Sequence, residues 1–120
     1  MTITFKNERG NIEIDDQVIA VIAGMAAIDS YGIVGMASRH QIKDGISELL
    51  KKENLTRGIE VTNRDGSLHI SLYIVVSYGV KISEVAKSVQ EKVKYVLENH
   101  IGVNVDEINV IVQGVKVLAE

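Results

Sequence analysis

Residues 17–37 read QVIAVIAGMAAIDSYGIVGMA, and no side chain from Gln17 to Ile28 is charged. Large apolar residues stand at Val18, Val21, Ile22, Met25 and Ile28, the spacing of one helix face. The opposite face is small rather than polar, carrying Ala20, Ala23, Gly24 and Ala27. A helix that is apolar all round must be covered on more than one side, so the rest of the chain has to be organised around it. Asp15 or Asp16 caps its start, where negative charge suits the positive helix end. Ser30-Tyr31-Gly32 closes it with Gly32 as the left-handed residue, and 33–37 reads as a short buried strand.

Alternation sets the flanking elements. Ile3 and Phe5, then Ile12 and Ile14, bracket the turn residues Asn7-Glu8-Arg9-Gly10 and predict a short hairpin. A loop centred on Glu8 and Arg9 sets Phe5 opposite Ile12 and Ile3 opposite Ile14, all on one face. The segment 43–53 (KDGISELLKKE) has Ile46, Leu49 and Leu50 at helical spacing and predicts a short amphipathic helix. From 57 to 78 a second hairpin turns at Asp65-Gly66, which pairs Arg64 with Ser67, Val61 with Ile70 and Ile59 with Leu72. One face collects Ile59, Val61, Leu68, Ile70, Leu72, Ile74 and Val76; the other carries Glu60, Thr62, His69, Ser71, Tyr73 and Val75. Ser83 serves as N-cap of a helix over 84–99 with the stripe Val85, Ala86, Val89, Val93, Val96 and Leu97, ended by Gly102. A last strand over 105–117 changes parity towards its end, which suggests a bulge at Gly114. The order β-β-α-β-α-β-β-α-β implies one α+β domain over 1–120, two-layered, with helices on one face of a mixed sheet. Its last strand–helix–strand unit can place two strands parallel.

Composition narrows the functional classes. The chain has 120 residues, enough for one core, and only five aromatic residues, so that core is aliphatic. Cysteine is absent, which excludes disulfides, thiolate metal sites and thiol catalysis. A formal net charge of −3 speaks against an electrostatic nucleic-acid binder. The start MTITFKNERG lacks the basic stretch and apolar run of a secretory signal. Asp29 and two glycines interrupt residues 17–37, which therefore read as a buried helix turning into a strand rather than a membrane span.

Candidate chemistry is sparse. His40, His69 and His100 have no second histidine or acid at metal-ligand spacing, so no metal or other cofactor is expected. The eight serines lack a nucleophile elbow. Gly32-Ile33-Val34-Gly35 has the letters of a nucleic-acid-clamping GxxG loop, but its Ile and Val offer nothing to phosphates. Two surfaces remain. The stripe Ala20, Gly24, Ala27 permits close approach, either of the chain's own sheet or of a second copy in a homo-oligomer. The strand face bearing His69, Ser71 and Tyr73 is polar without being highly charged and is a candidate partner face.

The run GNIEIDDQVIAVIAGMAAIDSYGIVGM resembles the opening signature of the alkaline shock protein family, general-stress and cell-envelope-related proteins of Gram-positive bacteria. The strand 10–14, the acidic pair Asp15-Asp16, Ile19-Ala20, Ala26-Ala27 and Gly32-Ile33 carry the likeness, with Ile33 where valine is more usual. The later hairpin, the helix with Val85, Val89 and Val93, and the closing strand before Gly114-Val115 extend it over nearly the whole chain. The resemblance implies a cytoplasmic, non-enzymatic protein that self-associates and supports envelope or stress homeostasis. It also implies a possible peripheral location through a membrane-anchored protein partner. The alternative it leaves open is an accessory binding module for RNA or for a kinase of the dihydroxyacetone or fatty-acid type. The family offers no active-site residues to carry over.

Overall fold

A computed structural model describes residues 2–38, 56–64 and 67–117. The helix expected over 43–53, the Asp65-Gly66 turn and His40 lie outside these residues. Strands β1 (Thr2–Asn7) and β2 (Gly10–Asp15) form an antiparallel arm, with Asn7 opposite Gly10, Phe5 opposite Ile12 and Ile3 opposite Ile14. Helix α1 (Asp16–Ile28) follows at once. Its N-cap is Asp15, whose Oδ1 accepts the Gln17 backbone N–H at 2.9 Å. Next come β3 (Ile33–Met36), β4 (Ile59–Arg64) and β5 (Ser67–Ser77). Helix α2 (Ile82–Val96), a π-helical turn (Leu97–Ile101) and β6 (Val105–Lys116) complete the chain.

The eleven-residue β5 is the spine of the sheet. On one side it pairs in parallel with β6 from Leu68 to Ser77. On the other it pairs antiparallel with β4 along its first half and with β3 along its second. The helices cover one face, giving a two-layer α+β fold with a mixed sheet. Leu68, Ile70, Leu72, Ile74 and Val76 of β5 are buried there with Ile59, Ile108 and the Val85, Val89, Val93 stripe of α2. Each such side chain stabilises the fold by about 1.5–3 kcal/mol relative to exposure. Gln90 Nε2 of α2 donates to the Ile108 carbonyl at 2.9 Å and ties that helix to β6.

Three local expectations are corrected. Ser83 does not cap α2: the helix begins at Ile82 after Lys81, whose carbonyl accepts the Glu84 and Val85 N–H groups. The bulge in β6 falls at Gln113 rather than Gly114, because Ile74 pairs with Val112 and Val75 with Gly114. The third correction concerns α1. Its inward face is Ile19, Ala20, Ala23, Gly24, Ala26 and Ala27, packed beside β3, β4 and α2. Val18, Val21 and Met25 point out, exposed by 47%, 45% and 39%, while Ile22 and Ile28 are half-buried. The self-association stripe expected at Ala20, Gly24 and Ala27 is therefore taken up within the chain. Side chains this small let the helix lie close to the elements beside it, so the core is filled by proximity rather than by bulk.

Candidate interaction site

The outward face of α1 carries Val18, Val21 and Met25, a three-four spacing that keeps the three side chains in one line, while Ile28 beyond them is half-buried and packs against the core. Helix α2 lies alongside but does not close over this line. Between them runs an open groove of about 580 Å³ lined by Val21, Ile22, Met25, Ala26, Ile28 and Val96, with Asp29, Lys92 and His100 at its polar margin. That lining is predominantly apolar, as in a contact surface. At the margin Lys92 Nζ donates to Asp29 Oδ2 at 2.6 Å and to the Asp29 carbonyl at 3.3 Å. The Lys92 ammonium holds the Asp29 carboxyl below the usual aspartate range, first by this hydrogen bond and then by its charge. It also fixes the end of α1 to the middle of α2 across 63 positions of sequence, a partnership no local pattern announces.

The arm provides a second apolar surface. Paired residues share a face, so Ile3, Phe5, Ile12 and Ile14 project together. Ile3 and Ile14, at the base, pack against the core. Towards the tip, Phe5 and Ile12 are 36% and 52% exposed. Alternation in the sequence pointed to this face; that its base is packed and its tip partly exposed became visible only in the structure.

The candidate partner face is where β5 was expected to put it. His69, Ser71 and Tyr73 alternate with the buried core residues, point away from the helices and are half-buried. By register they lie between Thr62 and Glu60 of β4 and Glu107, Asn109 and Ile111 of β6. Val75 departs from that group: it is buried, between Gly35 and Gly114. The parallel strand brings acids to His69, with Nε2 3.9 Å from Asp106 Oδ2 and Nδ1 3.9 Å from Glu107 Oε1. Glu107 Oε1 accepts from Asn109 Nδ2 at 2.8 Å. This bond is the main reason the Glu107 carboxyl sits below the usual range; partial desolvation opposes it, and the charges of His69 and Arg64 add to it. Among the described residues no three His, Cys, Asp or Glu side chains are grouped to hold a metal ion. No described helix is long and apolar enough to cross a membrane.

Known proteins align with this architecture at two levels. The fold is similar to solved structures of the MamM CTD, one at a TM-score of 0.57 with 12% identity, covering 83% of this chain and 98% of that one. A nickel form of the same domain matches at a TM-score of 0.55 with 12% identity, covering 82% and 96%. At that identity the likeness shows the fold alone. In sequence, the uncharacterized protein YloU of Bacillus subtilis (strain 168) is 55% identical over 117 residues, 98% of each chain. The uncharacterized protein Spy1614 of Streptococcus pyogenes serotype M6 is 46% identical over 120 residues, 100% of this chain and 99% of that one. YqhY, also uncharacterized and from Bacillus subtilis, is 37% identical over 107 residues, 89% of this chain and 78% of that one. A family model of cell envelope-related function matches residues 4–117, and on that match the chain belongs to the alkaline shock protein family.

Proposed function

We propose that this protein is a non-enzymatic scaffold of cell-envelope and general stress homeostasis that acts by self-association and by binding a partner. Family membership supports the envelope role. The observation that carries the scaffold reading is the half-exposed line Val18, Val21, Met25 on α1, opening into an apolar groove. Single exposed apolar residues are ordinary, but a line of them beside an open groove marks a contact surface. The protein works as one domain over 1–120, in the cytoplasm, and reaches the membrane periphery through an anchored protein partner. The sheet face with His69, Ser71 and Tyr73 is the surface we assign to that partner, because α1 and α2 leave it uncovered.

Light scattering at tens of micromolar tests the first half. The expected species is at least twice the 13.2 kDa chain mass; a strict monomer overturns self-association. Fractionation tests the second: the protein should sediment with envelope membranes and leave them in alkaline carbonate, as a peripheral protein does. Recovery in the soluble fraction alone, with and without envelope stress, overturns the peripheral location.

A further inference from the structure

We infer that the end of the molecule where β5 and β6 finish rests directly on the surface of an anionic phospholipid bilayer. This depends on the peripheral location proposed above and adds a contact made by the chain itself to the one made through a partner. Four segments meet at this end: the turn after α1, the turn after β5, the start of α2 and the last residues of β6. The Gly32 carbonyl accepts the Ser77 N–H at 3.0 Å, and the Lys116 carbonyl accepts the Tyr78 N–H at 2.9 Å. Among the described residues eleven large apolar side chains are exposed, and five of them, Tyr31, Tyr78, Ile82, Val115 and Val117, stand here. They include the three most exposed, Tyr31 at 85%, Val117 at 71% and Tyr78 at 70%. Scattered exposed apolar residues are ordinary, but such a gathering marks a contact.

The chemistry of this end selects the occupant. Tyrosine has an apolar body and a polar tip, which suits the boundary where acyl chains meet headgroups and water. Lys81 and Lys116 are exposed beside Tyr78, and an ammonium next to an aromatic ring is matched by anionic headgroups. Helix α2 starts here with no side chain capping it, so the positive end of its dipole adds to the lysines. Glu84 in its first turn opposes them, whereas Asp29 near Tyr31 is already held by Lys92. The whole chain carries −3, so an anionic surface repels the molecule at large and attracts it by this end, which orients it. Two lysines and five apolar side chains make a weak, reversible contact. It gains strength when self-association or an anchored partner brings several such ends to one membrane.

The test is co-sedimentation of the full chain with vesicles of phosphatidylcholine alone and of phosphatidylcholine mixed with phosphatidylglycerol. The chain should bind the mixed vesicles, less so as salt rises, and bind phosphatidylcholine alone far more weakly. Tyr31→Ser with Tyr78→Ser, and separately Lys81→Glu with Lys116→Glu, should each lower the partition coefficient at least about tenfold. All four positions are exposed, so circular dichroism should show each variant folded. Tyr95→Ser, which removes an exposed tyrosine from α2, should bind as wild type does. If wild type does not bind the mixed vesicles, the inference falls, while the anchored partner stands or falls by fractionation. If the tyrosine pair or the lysine pair can be replaced without loss, the contact lies elsewhere, which also overturns it. Vesicle binding by wild type, lost in both double variants, combined with recovery from cells in the soluble fraction alone, upholds this contact and overturns the peripheral location.

Discussion

At Gly32 the backbone turns with φ +86°, and a Cβ added there would stand 2.8 Å from Val85 Cγ2 of α2. Left-handed backbone and a close approach coincide at one residue. Gly32→Ala should therefore cost about 2 kcal/mol or more, by strain and overpacking together, read as a shifted denaturant midpoint at unchanged slope. On α1 the neighbouring pair Ile19 and Val18 separates core from surface. Ile19 is fully buried, so Ile19→Ala should lose about 2–5 kcal/mol, whereas Val18→Ala at micromolar concentration should stay within about 1 kcal/mol. Equal losses at the two positions would show that the helix is turned differently. The Asp29–Lys92 pair gives a prediction with a sign. Folding lowers the Asp29 pKa below 3.8, so its contribution is present above the unfolded value and is lost as pH falls through the lower folded value. Wild type should exceed Asp29→Asn in stability at pH 7, and the gap should close only below about pH 3.8, the unperturbed value. Because the pair is exposed, salt should narrow it too.

Among the elements, the start of each helix separates what local chemistry determines from what packing determines. Asp15 is a working N-cap, so Asp15→Ala should cost about 0.5–2 kcal/mol. Ser83 has the right residue type but sits inside the first turn of α2, and Ser83→Ala should leave stability within about 0.5 kcal/mol in thermal or denaturant unfolding. The registers of both hairpins were legible because a period of two and the turn spacing leave one pairing that gathers Ile3, Phe5, Ile12 and Ile14, or Ile59, Val61, Ile70 and Leu72, on a single face. The direction in which α1 faces was not legible. A helix without a polar side carries no mark of which side is inward; here the alanines and Gly24 take the core, where they permit a closer approach. The candidate site shows the same limit: the stripe at Ala20, Gly24 and Ala27 was open to packing within the chain or against a second copy, and nothing local marked Val18, Val21 and Met25 as the outward line. The parallel pairing of β5 with β6, which brings Asp106 and Glu107 to His69, joins segments about forty residues apart, beyond the reach of any local period.

For the molecule as a whole, the sheet and the arm should open on different scales, and amide hydrogen exchange reads both. Strand β5 is paired on both sides along nearly its whole length and carries the largest share of the core. Its amides should exchange only through global unfolding. Among the described residues each strand of the arm pairs with the other alone, and Ile3 and Ile14 are the arm residues packed against the core, so its opening should be local and fast in a dilute sample. If self-association covers one of these surfaces, binding lowers the population of its open form by mass action, and protection there should rise with protein concentration while β5 protection stays nearly constant. Association through Val18, Val21 and Met25 should protect α1 and leave the arm unchanged. Concentration-independent exchange in both the arm and α1, over a range in which light scattering shows association, would place the contact elsewhere, as on the sheet face of His69, Ser71 and Tyr73. The experiment thus distinguishes the surfaces by which this fold can assemble without substituting a residue in any of them.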